Sequence, residues 1–330
     1  MAHTHTPPAA SSEQQPDVAG LDVGSLRMLR AIADAGTITG AARLLGYSQP
    51  AVSQHVRRLE RRLGTSLLDR SGRTFRLTEA GEVLARHGST VAAALRAADA
   101  EVSSLAGLRS GRVRLVAFPS ASAAIVPGAL ADLRGRHPGL TITLDEAEPP
   151  EALAALRAGS ADVALAFSYG GPDEDLAGLV ARHLIDDATM VALPADHPAA
   201  AQESLDLAEL ADESWIAGCP RCRRHLLSTA ARAGFDPEIA YATDDYVAVL
   251  NLVAAGLGVA LLPELVRPTA QRQPGVVLRP ATGTSARRVH AVTTPDLLRV
   301  PAVAATIDAV AASAQRRVDT ATVNFGSRTT

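Results

Sequence analysis

Apolar residues in the first quarter of the chain recur at helical spacing. Leu26, Leu29, Ile32 and Ala33 share one face of residues 22–35, and Gly36 ends that helix. Thr37 or Thr39 can cap a second helix holding Ala41, Ala42, Leu44 and Leu45. After the turn Gly46-Tyr47-Ser48, a third helix starts with Ser48 as cap. Pro50 sits in its first turn, where a missing N–H costs nothing. Val52, Val56, Leu59 and Leu63 line one side of it, Gln49, Ser53, Gln54, Arg57 and Arg58 the other, and Gly64 stops it. Leu67 to Leu77 then reads as two short extended runs around the tip Ser71-Gly72-Arg73. The pattern is helix, tight turn, helix, then a hairpin wing.

Residues 78 to about 108 are rich in Ala, and Leu84, Val91, Leu95, Ala98, Val102 and Leu105 follow at spacings of seven, four, three, four and three. Only Gly88 interrupts this narrow a/d seam. The helix would be roughly 45 Å long. Its length favours a dimerising linker over a helix packed on its own domain. Ser110-Gly111 reads as a hinge. Beyond it, strands and helices alternate: strand Val113–Phe118, helix Ala123–Arg136, strand Leu140–Glu146, helix Pro150–Ala158, strand Asp162–Phe167. This βαβαβ order predicts a mostly parallel sheet. A second unit follows, with strands at Thr189–Leu193, Trp215–Ala217, Ile239–Thr243 and Val259–Leu262, and helices at Arg221–Ala233 and Asp245–Ala255. Strand Val289–Val292 and helix Ala302–Gln315 then return the chain to the first unit.

Composition adds an asymmetry. The net charge of -3 is unpromising for a DNA binder, but from Arg27 to Arg76 ten arginines stand against Asp34, Glu60 and Asp69. A basic N-terminal module on an acidic body points to one polyanion-binding domain and one domain with another task. All 32 basic residues are arginine, which we read as coding bias. Aromatics make up only 3%, which argues against base stacking as the binding mode. Residues 1–20 read as a disordered tail and not as a signal peptide. No apolar run is long and charge-free enough for a membrane. With two cysteines and no disulfide framework, a reducing cytoplasm is the expected location. Arg57, Arg58, Arg61 and Arg62 fit either a solvated face or a phosphate-binding one; the tight turn, Ala41 and Ala42, and the donor-rich start of the third helix favour DNA.

The stretch Leu26 to Gly81 resembles the N-terminal domain of LysR-type transcriptional regulators. The resemblance is carried by Gly40-Ala41-Ala42 with Leu45, Ser48-Gln49-Pro50-Ala51-Val52-Ser53, Leu59-Glu60, Leu63-Gly64, Leu67, Arg70, Leu77-Thr78 and Ala80-Gly81. Leu29 and Leu68 stand where the family often has Phe, a change of core volume. The resemblance implies an α/β protein with an N-terminal all-α winged helix-turn-helix (residues 21–78) and a long linker helix (79–109). It further implies a two-lobed effector domain like a periplasmic binding protein (110–320). Lobe one would comprise 112–185 and 285–318, lobe two 186–284, and 319–330 would be a tail. It implies double-stranded promoter DNA, a small-molecule effector and RNA polymerase as partners, self-association to a dimer or tetramer, and no enzymatic activity.

The expected DNA contacts are Thr39, Ser48, Gln49, Pro50, Ser53, Gln54, Arg57 and Arg58, with Arg73 at the wing. Ligands of open α/β sheets sit at strand carboxyl ends near helix N-termini. That places Ser120, Ala121 and Ser122 at the effector, though serine there can equally be a helix cap. Phe167, Ser168 and Tyr169, after the third strand, would form the opposite wall or the crossover hinge. Gly218, Cys219, Thr243 and Asp244 are the equivalent places in lobe two. If Asp244 and Asp245 face the cleft, they favour an effector with donors or positive charge; at a helix start they can also be simple caps. The Gly256-Leu257-Gly258 segment runs from helix into strand, the wrong order for a phosphate loop, and gets no chemistry. No cofactor motif is present.

Cys219-Pro220-Arg221-Cys222, with His225 three residues on, admits three readings. The thiols are ordinary packing residues, or a redox pair at a helix start, or with His225 part of a metal site that lacks a matching second half. A thiol oxidoreductase would need a thioredoxin-like context that is absent, and a solute-binding protein would need a signal peptide.

Overall fold

The computed structural model describes residues 21–69, 76–105, 111–170 and 176–326. Arg70, Arg73 and the rest of the wing tip, Ser110 of the expected hinge, and residues 1–20 lie outside them. The chain divides into two compact units between Ala92 and Ala93.

The N-terminal unit contains α1 (Val23–Ala35), α2 (Ile38–Leu45), α3 (Gln49–Leu63), strands β1 (Leu68–Asp69) and β2 (Arg76–Leu77), and the start of α4 (Glu79–Leu105). Short polar side chains set the first turns. Asp22 accepts from the Ser25 N–H (2.7 Å), Thr37 from Gly40 (3.0 Å) and Ser48 from Ala51 (3.4 Å). Such caps are worth about 1 kcal/mol each. The cap of α2 is thus Thr37, and Thr39 lies inside the helix, exposed. Met28, Leu29, Ile32, Ala41, Ala42, Val52, Val56, Leu59, Leu67 and Leu68 form the core. The buried arc of α1 passes through Ser25, Met28, Leu29 and Ile32, so Ala33, expected inside, is exposed. Leu44 is exposed as well.

Two extended pairs tie β1 to β2, Leu68 with Leu77 and Asp69 with Arg76. Glu60 of α3 accepts from the backbone N–H groups of Leu67 (2.9 Å) and Leu68 (3.2 Å) at the base of this hairpin. Gly88 has a steric reason to interrupt the α4 seam. A Cβ there would lie 2.5 Å from the Leu26 carbonyl oxygen, so α4 passes α1 backbone to backbone. Along the same helix Leu95 and Val102 are 54% and 65% exposed, large apolar side chains that this single chain leaves uncovered.

The C-terminal unit holds two sheets. The strands and helices of the first are β3 (Gly111–Ala117), α5 (Pro119–Ala124), α6 (Val126–Arg136), β4 (Leu140–Glu146), α7 (Pro149–Arg157), β5 (Val163–Ser168) and β6 (Val180–Asp187). The second has β7 (Thr189–Pro194), β8 (Leu205–Asp206), β9 (Ser214–Ala217), α8 (Pro220–Arg232), β10 (Glu238–Ala242), α9 (Tyr246–Ala254), β11 (Val259–Pro263), α10 (Arg267–Ala270) and β12 (Val276–Thr282). The chain then re-enters the first sheet through β13 (Arg287–Thr293) and ends in α11 (Pro301–Gly326), which runs through residues 319–326 expected as tail.

Strand orders are β4-β3-β5-β13-β6 and β10-β9-β11-β7-β12-β8. The expected mostly parallel sheet is instead mixed. β3 pairs in parallel with β4 and β5, but β13 runs antiparallel to both β5 and β6. The single helix expected at 123–136 is two helices. It starts earlier, at Pro119, and breaks at Ile125, where Pro127 enters the next first turn and cannot continue the hydrogen-bond ladder. The chain passes between sheets twice, after β6 and before β13. Asp187 and Arg287 stand at those two crossings as register partners.

Candidate functional site

The outer face of α3 is built as its apolar spacing requires. Val52, Val56 and Leu59 point inward, which leaves Gln49, Gln54, Arg57 and Arg58 exposed and Ser53 half-buried. Gln49, Pro50, Ser53, Gln54 and Arg57 line a shallow groove with Glu60 and Arg61. This is a row of donors and amide groups at the N-terminal half of a helix, backed by cations further along. Ser48 is committed to its capping bond, which leaves its neighbours to face outward.

In the C-terminal unit, the strongest feature is one the sequence did not advertise. Arg287 is fully buried at the junction of the two sheets. Its Nε and Nη2 donate to Asp187 Oδ2, both at 2.8 Å, and Nη2 also donates to Ser120 Oγ at 2.6 Å. The guanidinium lies 4.9 Å from the Phe118 ring centroid and 4.5 Å from that of Phe167. Burial disfavours its charge most strongly, but Asp187, Tyr169, Tyr246 and Cys222 together outweigh it, so its pKa rises. Burial pushes the Asp187 carboxyl up, against the pull of Arg287 and the Leu265 N–H.

Beside this pair lie the two thiols. Cys219 caps α8, its sulfur accepting from the Cys222 N–H at 3.4 Å. The Cys219 thiol donates to Cys222 Sγ across 3.1 Å. That bond lowers the Cys222 pKa, with help from the Arg287 charge. The same bond, with burial, pushes Cys219 up. Two residues of the first-sheet lobe hold the pair. The Tyr169 hydroxyl reaches Cys222 Sγ at 3.9 Å, and the Glu148 carboxyl bonds with Cys219. Burial, then the neighbouring Cys219, pushes Glu148 up to about 8. The Tyr169 ring stacks on His225, centroids 3.8 Å apart. Burial and the charges of Arg232 and Arg287 pull His225 down to about 4, so it is neutral at pH 7.

The expected effector residues therefore separate. Ser120 and Ala121 are buried, and the Ser120 hydroxyl is taken by Arg287. Ser122 donates to the Ala117 carbonyl (3.3 Å), and Thr243 accepts from the Asp245 N–H (3.3 Å). Asp245 is the cap of α9, and Asp244 is exposed. Gly218, Cys219 and Asp244 border a small cleft with Glu148 and Tyr246. Phe167 and Ser168 instead line a cavity of about 500 Å³ whose other wall is α8. The aspartates do not line it. Arg221, Arg224 and Arg232 do, which reverses the charge expected of an occupant. Cys219, Cys222 and His225 do not form a ligand set: among the described residues no three His, Cys, Asp or Glu side chains are placed to hold a metal. Arg287, Asp187 and Glu148 had no sequence signal beyond being polar residues at strand and helix ends, whereas Tyr169 follows Phe167 and Ser168 in the expected wall.

A basic three-helix head with a wing, followed by a two-sheet domain closed by a return strand, defines a DNA-binding regulator with a sensing domain. Residues 23–82 match the family described as bacterial regulatory helix-turn-helix protein, lysR family, and residues 106–315 match the LysR substrate binding domain. The chain belongs to the LysR family of transcriptional regulators. It is 35% identical over 261 residues to a probable hydrogen peroxide-inducible genes activator of Mycobacterium avium, covering 77% of this chain and 80% of that one. It is also 35% identical over 269 residues to the small neutral protease regulatory protein of Streptomyces coelicolor, covering 77% and 80%. Full-length OxyR from Pseudomonas aeruginosa has the same fold, with a TM-score of 0.67, 23% identity, and coverage of 88% of this chain and 94% of that one. Among the described residues no helix is long and apolar enough to cross a membrane.

Proposed function

We propose that this regulator reads oxidation through Cys219 and Cys222 and passes the change to its DNA-binding heads. The observation that carries the reading is the contact itself. The two sulfurs lie 3.1 Å apart, and each is held by a residue of the opposite lobe, Tyr169 on Cys222 and Glu148 on Cys219. The place where an organic effector was expected, around Ser120, is filled by the Arg287 guanidinium. The mycobacterial relative is a probable activator of hydrogen peroxide-inducible genes, which supports a peroxide as the oxidant.

With hydrogen peroxide the Cys222 thiolate attacks one oxygen, the O–O bond breaks, and a sulfenic acid and water form. The Cys219 sulfur then attacks Cys222 Sγ, its proton leaves with the hydroxide as a second water, and the S–S bond closes. Sulfur is oxidised and peroxide reduced, with no other reactant. Closing the gap to about 2.05 Å withdraws both sulfurs from Tyr169 and Glu148. Oxidation thus breaks two contacts between lobes.

DNA would be bound by Gln49, Ser53 and Gln54 toward base edges, with Arg57, Arg58 and the wing residue Arg73 on phosphate. Leu95 and Val102 would be covered by a second copy, giving a dimer and, by pairing of dimers, a tetramer. RNA polymerase is the expected further partner, and the cytoplasm the place of action. The test compares promoter binding of reduced, peroxide-treated and re-reduced protein by footprinting. Peroxide should alter the footprint reversibly, and Cys222→Ser should abolish the response. An unchanged footprint together with unreactive thiols would overturn the reading.

A further inference from the structure

Glu148 stands at the start of α7, where a side chain often caps its own helix, yet it makes no capping bond. Its carboxyl bonds with Cys219 instead. One of its oxygens, Oε2, is buried without a hydrogen-bond partner in the protein. A buried polar atom of this kind is costly unless something bonds it. Glu148 and both thiols border one narrow cleft, together with Asp244 and Tyr246. The charges around Glu148 keep both of its protonation states within reach. Burial first, then Cys219 and Asp244, hold a proton on it, while Arg287 opposes them, so its pKa is pushed up to about 8. At neutral pH the acid is the main form and the carboxylate lies close in free energy.

We propose, resting on the oxidation reading above, that Glu148 is the proton shuttle of the thiol pair. In the first step the Cys222 thiolate attacks peroxide, the O–O bond breaks, and Glu148 gives its proton to the departing hydroxide, which leaves as water. The carboxylate so formed lies on Cys219 and takes the proton of its thiol. That thiol is held high chiefly by its bond to Cys222, then by burial. The first cause lapses once Cys222 is a sulfenic acid, so the proton loosens when it has to move. The Cys219 sulfur then attacks Cys222 Sγ, the S–S bond closes, and the second hydroxide takes the proton from Glu148 and leaves as water. One thiolate, one thiol, one peroxide and one carboxylic acid give a disulfide, two waters and a carboxylate, which solvent reprotonates. Glu148 touches a reacting sulfur and serves as acid in one step and as base in the next.

The experiment uses the reduced full-length protein, wild type, Glu148→Gln and Glu148→Asp. Modification of Cys222 by hydrogen peroxide and by iodoacetamide is timed between about pH 5 and pH 9. Iodide leaves without a proton, so iodoacetamide reports the Cys222 thiolate alone. The ratio of peroxide rate to iodoacetamide rate should fall about a hundredfold in Glu148→Gln. It should fall less in Glu148→Asp, whose carboxyl is one methylene short but still carries a proton. In the wild type the ratio should decline above about pH 8, where Glu148 has lost its proton, and that decline should be missing in Glu148→Gln. At high peroxide the Cys222 sulfenic acid, trapped with dimedone, should persist roughly tenfold longer in Glu148→Gln, because closure has lost its base. An unchanged ratio in Glu148→Gln, or both reagents slowed alike, would overturn the shuttle and leave the oxidation reading standing. Wild-type thiols inert to peroxide would overturn both.

Discussion

Replacing Arg287 by Met tests the junction between the lobes most directly. Met keeps the length and apolar contact with Phe118 and Phe167 but leaves the buried Asp187 carboxyl with the Leu265 N–H and without its cation. Removing one member of a buried ion pair costs about 3–5 kcal/mol. For a domain of this size each kcal/mol shifts the melting temperature by about 2–4 °C, so a fall of roughly 6–20 °C is expected. The pH dependence has a definite sign. Burial already raises the Asp187 pKa in the native protein, and losing Arg287 removes the largest opposing influence. A carboxyl whose folded pKa lies above its unfolded value holds its proton better when folded. Stability therefore falls as pH rises from the unfolded pKa through the folded one. The deficit of Arg287→Met should be smallest near pH 5 and grow toward pH 8. Adding Asp187→Asn should remove most of the loss and the part of its pH dependence that Asp187 contributes. Scanning calorimetry of the wild type, the two single variants and the double variant at several pH values decides it. A loss under about 1 kcal/mol, or one equal at both ends of the range, would refute the reasoning.

Three further outcomes are expected. Gln49→Ala should relax base preference at one position by about 1–3 kcal/mol, whereas Arg57→Ala should weaken all sequences and flatten the salt dependence, both measurable by binding selection at two ionic strengths. Leu95→Glu should turn a dimer into monomers in sedimentation, because it puts a charge where a 54% exposed leucine awaits a partner. Glu148, with a folded pKa of about 8, should make stability decline between about pH 4.5 and 8; Glu148→Gln should flatten that slope in thermal melts across the window.

How far the sequence could be read depended on where each residue's partners lie. The head was legible because its caps and core contacts are local: Ser48 bonds Ala51, and Val52, Val56 and Leu59 repeat within one helix. In β6 and β12 the pattern is broken by Arg182, His183, Asp186 and Asp187, and by Arg279 and Pro280, so both strands went unrecognised. Arg287 opens a strand, a position that usually means solvent. Only a carboxylate 100 residues away makes it core, and no local pattern encodes such a pairing. For the same reason, effector residues chosen by strand ends were scattered. Ser120 and Phe167 do meet, but around a guanidinium and not around an empty site.

The two bonds from Glu60 to the Leu67 and Leu68 N–H groups join the recognition helix to the root of the wing. A carboxylate that accepts two amide protons across the connection of residues 64–67 restrains the hinge that this connection would otherwise allow. Within one head, then, α3 and the described base of the hairpin have a fixed stagger, and the entropy of aligning them is lost during folding. A head built this way would present a contact surface of set width. On the proposed reading, adaptability to promoters of different spacing comes from between heads, and a signal from the sensing domain changes which pairs of half-sites are reached while each half-site's sequence stays the same.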